Sequence, residues 1–189
     1  MRVRVIPPLV AIVFGGCSPE KSPAADSARF LGATGVLPSE QSKWIVSLSG
    51  IGPIRFGMPL AEVARLLDDP ALLSRSRDAA CSYVRPKGLP RGAALMVSGG
   101  VVVRLDVDSA GTITESGLGV GDSEVAVLVR NSGRTSIQSN KYRGPLAHDV
   151  VVTNPTDAAH LMIFETDGRV IKTYRAGNRA AVQLVERCG

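Results

Sequence analysis

Leu60, Val63, Ala64 and Leu67 recur at the i, i+3, i+4, i+7 spacing of one helix face, which predicts an amphipathic helix. Pro59 suits its first position, where a missing N–H costs nothing, and Asp68-Asp69-Pro70 stops it. A strand over Lys43 to Leu48, with the only tryptophan of the chain, and Ile54-Arg55-Phe56 precede it, and Gly57 forms the corner into the helix. Beyond the helix the period drops to two. Cys81 to Arg85 and Ala93 to Ser98 read as strands, and Gly99-Gly100 is a tight hairpin turn. Over Val101 to Asp108 the alternation predicts Val101, Val103, Leu105 and Val107 on one face and Arg104, Asp106 and Asp108 on the other. Such a strand belongs to a sheet with one wet face.

The pattern then repeats. Ile51 to Leu67 (IGPIRFGMPLAEVARLL) is echoed by Ile113 to Val129 (ITESGLGVGDSEVAVLV), with Gly57 over Gly119 and Glu62-Val63 over Glu124-Val125. Asp122 and Glu124 suit the positive end of the second helix. His148 to Thr153 reads as a strand, Ala159 to Glu165 pairs through Asp167-Gly168 with Arg169 to Arg175, and Ala181 to Cys188 closes the chain as a short strand. The expected fold class is α+β: two tandem α-βββ units, about 51–110 and 113–189, in a largely antiparallel sheet with both helices on one face.

The first 42 residues show neither period. Met1-Arg2-Val3-Arg4 is a basic n-region, and Val5 to Phe14 is apolar but too short to span a bilayer as a helix. Residues 1–16 therefore read as a signal peptide. Its end, Phe14-Gly15-Gly16-Cys17, resembles the lipobox of bacterial lipoproteins, which implies lipidation of Cys17. Ser18, a non-acidic neighbour, then implies transfer to the outer membrane, on the periplasmic side of the cell envelope. Residues 17–42, rich in Ser, Pro, Ala and Gly, form the expected flexible tether to a domain over 43–189.

Removing the leader takes away Arg2 and Arg4 and leaves 20 basic against 17 acidic side chains, a mild, dispersed charge without a nucleic-acid footprint. With Cys17 acylated, Cys81 and Cys188 remain, and an even pair in an exported chain predicts a disulfide. Neither has a CxxC partner, and G-x-S-x-G, HExxH, P-loop and EF-hand phrases are absent from the chain. No catalytic residue, cofactor or metal ligand is expected, and the chain does not read as an enzyme. His148 and His160 have no zinc-ligand spacing behind them. What remains as candidate partner-binding chemistry is polar: Arg85, Lys87 and Arg91 around a Pro-Gly loop, Arg104 and Asp106 on the wet strand face, and Lys141 and Arg143 in the second unit.

Tandem units of a helix and antiparallel strands, opened by a G-Φ-x-x-x-E-V phrase (Φ apolar), resemble the β-lactamase-inhibitor-protein architecture. They also resemble the small outer-membrane lipoproteins of the β-barrel assembly machinery. The resemblance covers about Ile51 to Arg175 and implies a non-enzymatic protein that presents a surface to another protein. The expected function is a membrane-tethered protein-binding module whose partner is an envelope protein, with inhibition of an envelope hydrolase as one form of that role. The competing expectation is a structural lipoprotein supporting outer-membrane or peptidoglycan organisation.

Overall fold

The structure, a computed structural model, describes residues 41–75, 80–140 and 142–188. The leader, Cys17, the tether up to residue 40, and Lys141 lie outside the described residues. The protein is α+β. Seven strands, β4 (Cys81–Val84), β5 (Ala93–Ser98), β6 (Val101–Val107), β7 (Thr135–Ser139), β8 (His148–Asn154), β9 (Asp157–Thr166) and β10 (Ile171–Asn178), form one antiparallel sheet. Their order is β4-β5-β6-β10-β9-β8-β7. A small antiparallel sheet of β1 (Val46–Ser47), β2 (Gly50–Ile51) and β3 (Ile54–Arg55) precedes it.

Helices α1 (Leu60–Leu66), α2 (Ala71–Arg75) and α3 (Glu124–Arg130) lie between the strands in sequence, and α4 (Arg179–Gln183) follows β10. Leu60, Val63 and Ala64 of α1, Leu72 of α2 and Val127 of α3 join one apolar cluster with Leu95, Leu105, Val150, Phe164 and Tyr174 of the sheet. Leu67 packs against it, so the apolar stripe read from the sequence is the buried one. A second cluster, Val151, Leu161, Ile163 and Val182, lies on the other sheet face beneath α4. β9 shows why: Met162 and Phe164 join the first cluster while Leu161 and Ile163 join the second, so both sides of the strand are covered.

The turns follow from backbone chemistry. Gly99 and Gly100 both have positive φ (58° and 78°), which a two-residue hairpin between Ser98 and Val101 requires. At Gly177 the backbones of β10 and β6 approach so closely that a Cβ would sit 2.4 Å from the Val103 carbonyl oxygen.

The helices are docked by a shared backbone pattern. Gly57 N donates to Val102 O (2.7 Å), Val102 N to Met58 O (3.0 Å) and Leu60 N to Gly100 O (2.9 Å). In the second half Gly121 N donates to Ile171 O (2.9 Å), Ile171 N to Asp122 O (2.8 Å) and Glu124 N to Arg169 O (2.9 Å). The bonds made at Gly57 thus recur at Gly121 and not at Gly119, which the sequence set against Gly57: φ is 89° at Gly57 and 100° at Gly121, while Gly119 lacks a left-handed backbone.

The strand alternation also needs correcting. β6 carries a bulge at Val103, because Met96 pairs with Arg104 but Val97 pairs with Val102. The extra residue shifts the phase, so Val102, Leu105 and Val107 are buried whereas Val101 and Val103 are partly exposed. The segment expected as a last strand is α4 followed by irregular chain.

In urea unfolding, Leu105→Ala should cost about 2–5 kcal/mol, the range for a buried leucine. Val103→Ala, on the bulge, should cost about 1 kcal/mol or less. Equal costs would show that the bulge has been misplaced.

Candidate functional site

Two arginines on the central strands β6 and β10 occupy the sheet face opposite α1 and α3. Arg104 is 2% exposed, so it is not the solvated side chain that the alternation predicted. Its Nε and Nη2 donate to the two carboxylate oxygens of Asp106 (2.9 and 2.5 Å), and its Nη1 donates to the carbonyls of Ala181 (3.0 Å) and Leu184 (2.6 Å). Arg175, paired across the ladder with Asp106, donates through Nε to Val182 O (2.7 Å) and through Nη1 to Glu165. Burial and the neighbouring Arg104 guanidinium lower the pKa of Arg175 from its ordinary value.

These donors explain why the C-terminal segment lies across this face. The carbonyls of Ala181, Val182 and Leu184 are taken by side chains of the sheet beneath, and not by a neighbouring strand. Further along, the Arg187 guanidinium stands 5.7 Å over the Tyr83 ring, and Tyr83 OH donates to Asp106 (2.8 Å). Burial, followed by the Asp106 charge, pushes the Tyr83 phenol well above its usual value. Cys188 then closes a disulfide to Cys81 on β4, with Cα atoms 5.4 Å apart. The pairing expected from two leftover cysteines is present, and it ties the chain end to an edge strand.

The same face leaves a groove of about 680 Å³ beside the C-terminal segment, whose Val185, Glu186 and Arg187 form part of its lining. Asp149 of β8, Glu165 of β9 and Thr173 of β10 line it, together with Asn140, Tyr142 and Arg143 from the loop after β7. Asn140, itself buried, shapes that loop by accepting the backbone N–H groups of Tyr142 (3.0 Å) and Arg143 (3.1 Å). Its amide also donates to Asp149 (2.7 Å). Arg143 Nε donates to Glu165 (2.9 Å), and Tyr142 stands 73% exposed at the rim. Asp106, Asp149 and Glu165 are thus each held by a guanidinium or an amide, which orients them as acceptors for an incoming group.

Lys87 and Arg91 are placed elsewhere. They line a second concavity of about 710 Å³ with Lys43, Trp44, Leu66, Leu67 and Asp68. Arg85 is exposed and lines neither. The candidate residues therefore separate into two sites, Arg104, Asp106 and Arg143 at the groove and Lys87 and Arg91 at the pocket. His148 and His160 are also apart in their bonding. His148 Nδ1 lies 2.9 Å from buried Glu124, which also accepts the Thr166 hydroxyl, while His160 pairs with Asp157 at 2.8 Å. The His160 hydrogen bond holds the Asp157 carboxyl below its usual range.

Arg175, Glu165, Asp149, Tyr142 and Trp44 were not among the candidates. For Glu165 the one sequence signal was a charge directly after the apolar run Leu161 to Phe164, for Tyr142 an aromatic between two basic residues, and Arg175, in a strand that also holds Lys172, had none.

No family model, curated protein or solved structure matches this chain. Among the described residues, no helix is long and apolar enough to cross a membrane.

Arg104→Met should cost about 3–5 kcal/mol in urea unfolding, since it removes the cation from a part-buried carboxylate and a donor from each of two carbonyls. Arg143→Ala, which removes an exposed pair, should cost no more than about 1 kcal/mol. A mild Arg104 effect would mean that the C-terminal segment is held by other contacts.

Proposed function

We propose that this chain is a lipid-anchored protein of the cell envelope, acylated at Cys17, whose globular part is a non-enzymatic protein-binding module. That part is a duplicated helix-plus-three-strand unit. Duplication is supported by the matching backbone bonds at Gly57 and Gly121 and by bulges at matching places, Val103 in β6 and Lys172 in β10. It is supported also by the run β4-β5-β6-β10-β9-β8, which reads the same from either end if each half contributes three strands in sequence.

β7 and the loop to β8 are the additions that break this symmetry, and they carry the groove's rim. An exposed Tyr142 and an arginine beside it, over a floor of fixed acceptors, is the observation that carries the binding role. Tyrosine and arginine dominate the energetics of protein interfaces, and a floor already ordered by ion pairs loses little freedom on binding. A partner suited to the groove brings hydrogen-bond donors for Asp149 and Glu165 and an apolar edge for Tyr142. Occlusion of a hydrolase in the envelope is one form such binding takes.

A photo-crosslinking residue at position 142 of the full-length chain, irradiated in the native envelope, tests the module. The expected result is one discrete protein adduct that Arg143→Glu abolishes, with the same probe at exposed Arg65 giving none. Adducts to peptidoglycan would favour the supporting role, and equal labelling from positions 65 and 142 would contradict a site at the groove. Cys17→Ser should move the protein from the membrane to the soluble fraction.

A further inference from the structure

The pocket at Trp44 carries an inference independent of the groove. Its walls come from four places: Lys43-Trp44 before β1, Leu66 to Asp68 at the end of α1, the β4–β5 loop, and residues 110–112 after β6. Each wall is fixed. Buried Asp69 accepts the backbone N–H of Lys87 (2.8 Å), holding the β4–β5 loop against the α1–α2 corner. Gly92 in that loop lies so near the next wall that a Cβ would meet Ser109 at 2.5 Å. The carbonyl of Thr112 accepts the hydroxyl of buried Tyr174 (3.0 Å). A Cβ on Gly52 would lie 2.5 Å from the Lys43 carbonyl, so the first wall is packed as well. A pre-formed hollow of about 710 Å³ falls within the range of small-ligand sites.

Its charge differs in kind from the groove's. There, Arg104, Arg143 and Arg175 each have a carboxylate partner. Here Lys43, Lys87 and Arg91 enter none of the ion pairs among the described residues, and Asp68 is the one carboxylate in the lining. Lys43 stands over the Trp44 ring at 5.6 Å, and three cations outside the ion pairs of the described residues against one anion make the hollow positive. Between them lie Pro90, Leu66, a leucine left 48% exposed, and the small part of Trp44 that is not packed in the apolar core. A ligand matching all three features carries a carboxylate for Lys87 and Arg91, an apolar side chain for Trp44 and Leu66, and an N–H donor for Asp68.

We infer that the pocket binds an N-acylated apolar amino-acid carboxylate, either as a free small molecule or as the C-terminal residue of a peptide. The arginine fork suits a carboxylate, and the amide N–H beside it supplies the donor that a simple fatty acid lacks.

Trp44 is the one tryptophan of the chain and lines the pocket, so its emission reports on occupancy. The full-length protein is titrated with N-acetyl-leucine, N-acetyl-leucine amide and acetyl-Gly-Gly-Leu, with calorimetry in parallel in case the fluorescence is silent. Saturable binding of the acid, at least tenfold weaker binding of the neutral amide, and at least tenfold loss in Arg91→Glu and Lys87→Glu are expected. Both side chains are exposed and outside the ion pairs of the described residues, so thermal melting of these variants should match the parent's. Tenfold tighter binding of the tripeptide than of N-acetyl-leucine identifies a peptide end as the source, and equal binding a free acid. No heat and no fluorescence change with any acid, or equal affinity for acid and amide, overturns the inference.

Discussion

A guanidinium buried in a sheet face must find partners for five donors, and a strand's own backbone is already committed to its neighbours. Arg104 and Arg175 impose that constraint on the two middle strands of this protein. Asp106 and Glu165 take part of the demand. The remainder falls to the carbonyls of Ala181, Val182 and Leu184, which face the sheet because the chain there is a short helix and then irregular. Leaving either arginine without those carbonyls would cost several kcal/mol, since a buried charge is tolerable only when paired. The C-terminal segment is therefore part of the fold's polar core, and Val182 and the Cys188–Cys81 disulfide fasten it at two further points.

That constraint also divides the sheet face. Where the segment lies, the face is closed by Arg104, Tyr83 and Arg187. Beside it the face opens as a groove that Arg104 and Arg187 also line, and whose carboxylates the same arginine network has already oriented. The helix-bearing face is filled by apolar packing and contributes little polar chemistry, apart from Glu124 beneath His148. Groove and structural clamp thus share residues, and changes at the clamp should be felt at the groove, while changes at the rim need not be felt in the fold.

Much of the architecture was legible in the sequence because the two periods are clean. Leu60, Val63 and Ala64 mark a helix face, and Gly99-Gly100 marks a hairpin whatever surrounds them. The disulfide was legible as arithmetic on cysteines in a chain whose leader reads as a signal peptide. The failures have physical causes. The bulge at Val103 has no residue signature, and one inserted residue reverses the face of those before it. Gly117, Gly119 and Gly121 offer three registers for one corner, and the backbone geometry, not the residue type, decides for Gly121. Arg104 looked solvated because polar residues alternating with valines usually are. Its burial depends on carbonyls 77 and 80 residues away, a distance at which local pattern carries no information.

The central claim is that the buried arginines, and not the disulfide alone, hold the C-terminal segment on the sheet. Amide hydrogen exchange over residues 179–188, in an Arg104→Met, Arg175→Met variant with the Cys81–Cys188 bond intact, measures this directly. Exchange in that segment should quicken at least tenfold while the amides of β5 and β9 stay protected. Unchanged protection over 179–188 would contradict the account.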